Sequence, residues 1–184
     1  MTRTWETERL LLRQLGPQDA AAVREYGLRS HALHAPWDPT RPSDYWELPV
    51  VAERLRTQLL EAEMGRSLCT YLSAKSAPSW VIGVVNLRNI IREPPMSCVI
   101  GYGLAPEAVG NGFMSEAVNC IAAIGFDELG LRRLEINIVP RNSRSIAVAE
   151  RAGFRREGLS PRYLKIAGTW EDHVRYAKLN EDPR

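Results

Sequence analysis

The chain has 184 residues, 45% of them hydrophobic and 25% charged, a composition that suits one globular domain with one sizeable core and excludes a disordered or fibrous chain. A net charge of only +2, with Lys and Arg scattered rather than blocked, argues against nucleic acid as a direct partner. Met1-Thr2-Arg3-Thr4-Trp5-Glu6 holds no apolar leader core, and no run is long enough to span a membrane. Cys69, Cys98 and Cys120 form an odd set without Cys-x-x-Cys spacing, and read as reduced thiols of a cytoplasmic protein.

Arg9-Leu10-Leu11-Leu12-Arg13 reads as the first strand, and Gly16-Pro17-Gln18-Asp19 opens a helix expected to run to about Leu28. His31 to Asp44, rich in Pro and carrying Trp37, reads as a loop or broken helix, followed by a helix from about Pro49 to Glu63. Leu68 to Ala74 and Trp80 to Leu87 are strands around the turn Lys75-Ser76-Ala77-Pro78-Ser79. After the Pro94-Pro95 break comes a fourth strand, Cys98 to Leu104. The glycine turn Val109-Gly110-Asn111-Gly112-Phe113-Met114 then leads into a helix with apolar residues at Val118, Ile121, Ala122, Ile124 and Phe126. Leu134 to Val139 alternates strictly and is the fifth strand. Asn142 caps a short helix ending near Ala152, with Gly153 at its C′ position, and two last strands flank Ala167-Gly168. The pattern is α/β, in a single domain over residues 1–184, without repeats or linkers.

The glycine turn carries the chemistry. A strand, a turn with Gly110 and Gly112, and a helix make either a plain corner or an anion site. At the helix start several N–H groups lack intrahelical partners, and the macrodipole adds positive potential. Phe113 and Met114 stand where a P-loop needs Lys and Ser or Thr, and Gly101, Gly103, Pro106 fails the dinucleotide fingerprint. A backbone-only pyrophosphate cradle remains. The unit from Cys98 to Val139 should be a crossover between parallel strands, which brings Asn142-Ser143-Arg144-Ser145 to the same sheet edge as the cradle. Two helix N-termini side by side suit a long ligand with a pyrophosphate and a polar arm, as coenzyme A is.

At this point the residues resemble a known family. Leu104-Ala105-Pro106-Glu107-Ala108-Val109-Gly110-Asn111-Gly112 resembles the acetyl-CoA-binding motif of the GNAT N-acetyltransferases. Asn142-Ser143-Arg144-Ser145 through Glu150-Arg151-Ala152-Gly153-Phe154-Arg155-Arg156-Glu157-Gly158 resembles their second motif. The likeness starts at Thr7-Glu8-Arg9-Leu10 and covers nearly the whole chain. It is closest to the ribosomal-protein-alanine (Rim-type) branch, through Gly83-Val84-Val85-Asn86-Leu87-Arg88-Asn89-Ile90, Met114-Ser115-Glu116-Ala117, and Tyr163-Leu164-Lys165-Ile166 with Trp170-Glu171-Asp172-His173-Val174.

The resemblance implies a mixed, mostly antiparallel twisted sheet, splayed between its fourth and fifth strands, with helices on both faces. It implies acetyl-CoA as cofactor and no metal. Tyr102, Gly103 and Leu104 should line the pantetheine arm. Val109, Gly110, Asn111, Gly112, Phe113 and Met114 should bind the pyrophosphate, and Asn142 should contact the pantetheine. His34, Trp37 and Asn86 are expected on the acceptor side. A bulge near Gly101 or Gly103 is the expected source of the splay. The acceptor is expected to be a protein N-terminus, as on a ribosomal protein, or a small amine; a coenzyme-A-binding protein without turnover is the other reading. The oligomer is a monomer or a homodimer.

The chain departs from the family in its catalytic detail. Glu107 replaces a glutamine or arginine of the cradle. Asn137 stands where some relatives carry a glutamate base, and Ala149 where they carry a tyrosine acid. Ser145 matches a serine proposed as the acid elsewhere in the branch; its hydroxyl also suits a helix cap. Glu135, two residues from Asn137 on the same face, is a candidate base acting through water. An α-amine, with a pKa of about 7.8, loses its proton at neutral pH for about 1 kcal/mol, whereas lysine at about 10.4 costs roughly 3.5 kcal/mol more. A missing glutamate therefore favours an α-amine acceptor. His31 and His34 lack a third metal ligand at a matching interval, and Trp37, Tyr163 and His173 read as pocket walls or packing residues.

Overall fold

The computed structural model describes residues 2–180. Eight strands form one sheet in the order β1-β2-β3-β4-β5-β6-β8-β7. They are β1 (Thr4–Glu6), β2 (Leu10–Arg13), β3 (Leu68–Ala74), β4 (Gly83–Ile91), β5 (Ser97–Leu104), β6 (Arg133–Ile138), β7 (Arg155–Ile166) and β8 (Thr169–Leu179). The helices are α1 (Ala20–His34), α2 (Leu48–Glu63), α3 (Phe113–Ala123) and α4 (Ser143–Arg151). Every neighbouring pair is antiparallel except β5 and β6, which run parallel because α3 crosses between them.

Each face of the sheet buries a helical layer. Met114, Ala117, Val118, Ile121 and Ala122 fall at i, i+3, i+4, i+7 and i+8, so α3 lays one apolar stripe on Leu12, Val85, Leu87 and Ile100. A π-turn over Ile124–Glu128 ends that run. On the opposite face Val23 and Tyr26 of α1 and Val51 and Leu55 of α2 close over Tyr71. Gly27 sits inside α1 because Trp46 packs directly on it: a Cβ there would lie 2.0 Å from the indole.

Three boundaries differ from the sequence reading. β1 has three residues, too few for alternation to register, and it moves the splayed pair from fourth and fifth strands to β5 and β6. β4 starts at Gly83 rather than Trp80 and runs on to Ile91. α1 continues past Leu28 to His34, since nothing between Arg29 and Ala35 breaks a helix and His31 and His34 suit its negative end. Pro36 then stops it.

β5 and β6 are paired only at Ser97↔Arg133, Cys98↔Leu134 and Val99↔Glu135, after which they diverge. No bulge at Gly101 or Gly103 produces this. The β4–β5 register runs unbroken from Gly83↔Leu104 to Arg88↔Val99, and its irregularity lies at Arg88–Ile91. β6 instead leaves β5 while staying paired with β8 along its whole length, from Arg133↔Leu179 to Ile138↔Val174. The two glycines serve clearance: a Cβ on Gly103 would lie 2.8 Å from the His34 ring, and one on Gly101 2.6 Å from the Arg88 guanidinium.

Candidate active site

A cavity of about 1140 Å³ fills the gap between β5 and β6 and opens past the N-termini of α3 and α4. Its wall toward α3 is the glycine turn. Gly110 and Gly112 have φ of +88° and +77°, conformations that cost a residue with a Cβ on the order of 1–2 kcal/mol. Space above Gly110 is open, with nothing within 4 Å of where a Cβ would stand. The first i→i−4 bond of α3 runs from Glu116 N to Gly112 O at 3.2 Å, so the N–H groups of Phe113, Met114 and Ser115 precede the helical ladder. Ser115 lines the cavity with a buried hydroxyl that has no hydrogen-bond partner among the described residues. A roomy glycine turn, a helix start and an unused hydroxyl fit an anionic pyrophosphate.

The cradle is braced from outside. Glu116 accepts from Arg9 N at 2.9 Å, from Arg9 Nε at 2.7 Å and from the Thr7 hydroxyl, while Arg9 Nη1 donates to the Asn111 carbonyl at 3.0 Å. Burial works to raise the pKa of Glu116, but the hydrogen bonds from Thr7 and Arg9 outweigh it and hold the carboxyl below its usual range. Glu107 forms an ion pair with Arg29, which offsets the negative charge it brings to the turn. Of the residues expected to hold the pyrophosphate, Val109, Gly110, Gly112 and Met114 line the cavity; the side chains of Asn111 and Phe113 do not. Asn111 Nδ2 donates back to the Ala108 and Val109 carbonyls, and the Phe113 ring lies under the Arg9 guanidinium.

The open edge of β5 forms the floor. Ala105 N donates to Ile82 O at 2.8 Å, so by alternation Gly103 and Gly101 bond to β4, and Ile100, Tyr102 and Leu104 turn their N–H and C=O groups toward the gap. This is the edge a pantetheine amide needs. His34 holds its far end, with Nε2 2.8 Å from Leu104 O, and the Tyr26 hydroxyl donates to Gly103 O at 3.1 Å. The terminal turn of α1 therefore reaches the site, which a helix ending at Leu28 would not have done.

At α4, Asn142 Oδ1 caps the helix by accepting from Ser145 N at 3.1 Å. The Ser145 hydroxyl is not spent on the helix end. It donates to the Tyr102 hydroxyl at 2.9 Å, and that hydroxyl donates to Ser145 O at 3.0 Å. Burial pushes the Tyr102 phenol up to about 12, with the Ser145 hydrogen bond acting the other way, so it stays protonated through the neutral range. Ser145, Tyr102 and Asn142 all line the cavity.

Glu135 does not line it. Arg133 Nε and Arg175 Nη2 hold its two oxygens at 2.6 and 3.0 Å, which leaves it part of a surface ion-pair network with Glu157 rather than a base aimed at the gap. His34, Trp37 and Asn86, expected on the acceptor side, line the cavity together with Asn137, Tyr163 and His173. His31 lies outside the cavity lining, and no group of three potential metal ligands occurs among the described residues. Sequence reading passed over Arg41, Arg88, Arg144 and Arg151, which also face the cavity. A signal for two of them existed: Arg144, Ala147, Val148 and Arg151 recur at i, i+3, i+4 and i+7. Arg144 moreover stands at a helix start, where the macrodipole disfavours a cation.

Residues 9–155 match the family described as "Acetyltransferase (GNAT) domain". The ribosomal protein uS5-alanine N-acetyltransferase of Escherichia coli is 28% identical over 176 residues, covering 96% of this chain and 90% of that one. A probable N-acetyltransferase of Bacillus subtilis, YjcK, is 44% identical over 102 residues; that match spans 55% of this chain and only 56% of YjcK. Among solved structures, the ribosomal-protein-S5-alanine acetyltransferase of Vibrio fischeri superposes with a TM-score of 0.92 at 30% identity, over 99% of both chains. The Mycobacterium smegmatis RimJ structure, solved with a coenzyme A disulfide, gives 0.91 at 27% identity, over 100% of this chain and 90% of that one. With the splayed strands, the glycine cradle and this family match together, the chain belongs to the GNAT acetyltransferases and is an acetyl-CoA-dependent N-acetyltransferase.

Proposed function

We propose that the acceptor is the N-terminal α-amine of a protein, with a ribosomal protein the leading candidate and the cytoplasm its setting. One observation carries this reading. Among the residues lining the cavity, Asp38 is the one carboxylate, and it pairs with Arg41 at 3.3 Å. A site without a free carboxylate base works best on an amine that is already partly neutral. At pH 7 an α-amine pays about 1 kcal/mol to lose its proton, and a lysine nearly 5 kcal/mol. The relatives matched over nearly their whole length, alanine N-acetyltransferases of a ribosomal protein, support the same choice.

Bound acetyl-CoA supplies the acyl group. The protein's part is to hold it along Ile100, Tyr102 and Leu104, to anchor its phosphates at Gly110 to Ser115, and to return a proton to the departing thiolate from the Ser145–Tyr102 pair. Trp37 and Leu33 wall the acceptor side and favour a small first residue such as Ala or Ser.

The test is thiol release with matched peptides, one blocked at its N-terminus and one lacking lysine, beside a panel of small amines. The free α-amine should win by kcat/KM. If the blocked peptide or a small amine reacts faster, the N-terminal assignment falls and the acetyltransferase assignment stands.

A further inference from the structure

The two nitrogens of His34 stand differently over the floor of the cavity. From the last turn of α1 the ring reaches β5 where Gly103 leaves room for it. A Cβ on Gly103 would lie 2.8 Å from Cε1, 3.1 Å from Nε2 and 3.5 Å from Nδ1, so the nitrogen-bearing edge of the ring faces the strand. Nε2 stands 2.8 Å from Leu104 O. A carbonyl can only accept, so Nε2 carries the hydrogen and Nδ1 of the neutral ring holds the lone pair. Nδ1 has no hydrogen-bond partner among the described residues, and it is open to solvent rather than sealed in. His34 lines the cavity, so that lone pair is an unused base within it.

Alternation along β5 sets this base and the proton donor on opposite faces of the strand. The Cβ direction of Gly103 points to α1, whereas Tyr102 points to α4, where its hydroxyl meets Ser145. A thioester laid along the open edge of β5 presents one face to each. Other groups in the cavity are worse placed to take a proton. Asp38 is held by Arg41 at 3.3 Å, and His173 stands on β8, with β6 between it and β5.

We propose that His34 Nδ1 is the general base of the acetyl transfer, taking the proton of the attacking amine directly or through one water. The neutral amine closes a C–N bond on the acyl carbon, and its nitrogen becomes cationic. One N–H proton then passes to Nδ1. As the tetrahedral intermediate collapses the C–S bond breaks, and the thiolate takes a proton from the Ser145–Tyr102 pair. The imidazolium gives its proton to solvent and the pair regains one, so amide and thiol form with no net change in the protein. The inference rests on amine acetylation in this cavity, not on the identity of the acceptor.

The test follows single-turnover thiol release with whichever acceptor reacts best, peptide or small amine, so that failure of the N-terminal assignment leaves it intact. His34→Gln keeps a side-chain N–H for Leu104 O but has no base. It should lose roughly 100- to 10,000-fold in rate with the acetyl-CoA melting shift unchanged. In His34→Ala, added 4-methylimidazole should restore part of the rate. The similarly sized but much less basic 4-bromoimidazole should not, whereas a mere space-filler would rescue equally well in either form. His173→Ala should show no such rescue. A rate within threefold of wild type in His34→Gln would overturn the proposal by itself. Equal rescue of folded His34→Ala by the two imidazoles, or rescue by neither, would overturn it as well.

Discussion

Tyr102 and Ser145 offer the sharpest test of the chemistry, because their hydroxyls bond to each other and to little else. Tyr102→Phe deletes one phenol that accepts from Ser145 Oγ at 2.9 Å and donates to Ser145 O at 3.0 Å. If these bonds only fasten α4 to β5, their loss costs about 0.5–1.5 kcal/mol each, and at this chain length that lowers Tm by roughly 2–4 °C per kcal/mol. Turnover per folded enzyme would then hold. If the pair returns the proton to the thiolate, kcat should fall by roughly 100- to 10,000-fold, with acetyl-CoA affinity little changed. Ser145→Ala and the double variant complete a cycle. One relay predicts strong non-additivity, the double variant being hardly worse than the slower single one. The pH dependence has a definite sign: burial raises Tyr102 to about 12, so the proton is present below that pH and no alkaline loss from this group should appear by pH 10. Single-turnover thiol release and melts with and without acetyl-CoA give all of these quantities. A lowered Tm with kcat within twofold of wild type in both single variants would refute the relay.

Gly112→Glu should abolish stabilisation by acetyl-CoA, which for the wild type at 100 times its Kd is about 2.7 kcal/mol; a melting shift that persists in the variant would exclude this cradle. The substitution adds both a negative charge and backbone strain at φ +77°. Glu116→Gln should cost roughly 1.5–3 kcal/mol at pH 7, since charge-assisted bonds from Thr7 and Arg9 are lost. Because the folded-state pKa of Glu116 is depressed, this contribution is complete above the ordinary value of 4.5 and is lost as pH falls through the folded pKa, so denaturant melts of wild type and variant should converge in acid. Cys98 should resist a thiol reagent at pH 8 in the native protein and react on unfolding, since burial lifts its thiol to about 12.

Features encoded over short sequence distances were the ones open to reading. The α3 stripe, the two cradle glycines and the Asn142 cap each lie within a few residues of one another, and local periodicity or turn chemistry is enough to place them. The relation of cradle to second motif followed from one rule of connectivity, that α3 must link parallel neighbours. What escaped was set by contacts between distant segments. The Tyr102–Ser145 bond joins residues 43 apart, and the Arg175–Glu135 bond that removes Glu135 from the catalytic candidates spans 40. Neither leaves a local trace. The extension of α1 to His34 was missed for another reason: the prolines just beyond it made the whole stretch look broken, whereas a helix can run up to the residue before its breaker.

Four arginines and one carboxylate around an amine site bear on how the reaction proceeds without a strong base. Asp38 is occupied by Arg41, so the cavity faces its contents with Arg88, Arg144 and Arg151 as surplus positive charge. Positive surroundings disfavour the ammonium form and lower an amine's pKa. These guanidiniums are exposed and screened, which limits the effect to about one pH unit rather than the several that a buried charge produces. One unit is enough for one acceptor and not for the other. It brings an α-amine from about 7.8 to near 7, where half of it is neutral, and leaves a lysine amine near 9.4, still protonated in all but a fraction of a percent. A positive wall thus raises the neutral fraction of either kind of amine, and at neutral pH only an α-amine reaches a useful one. Because the shift acts on both amines alike, a preference for an α-amine would come from its lower intrinsic pKa, and the charge of the wall sets only how much of the acceptor is neutral.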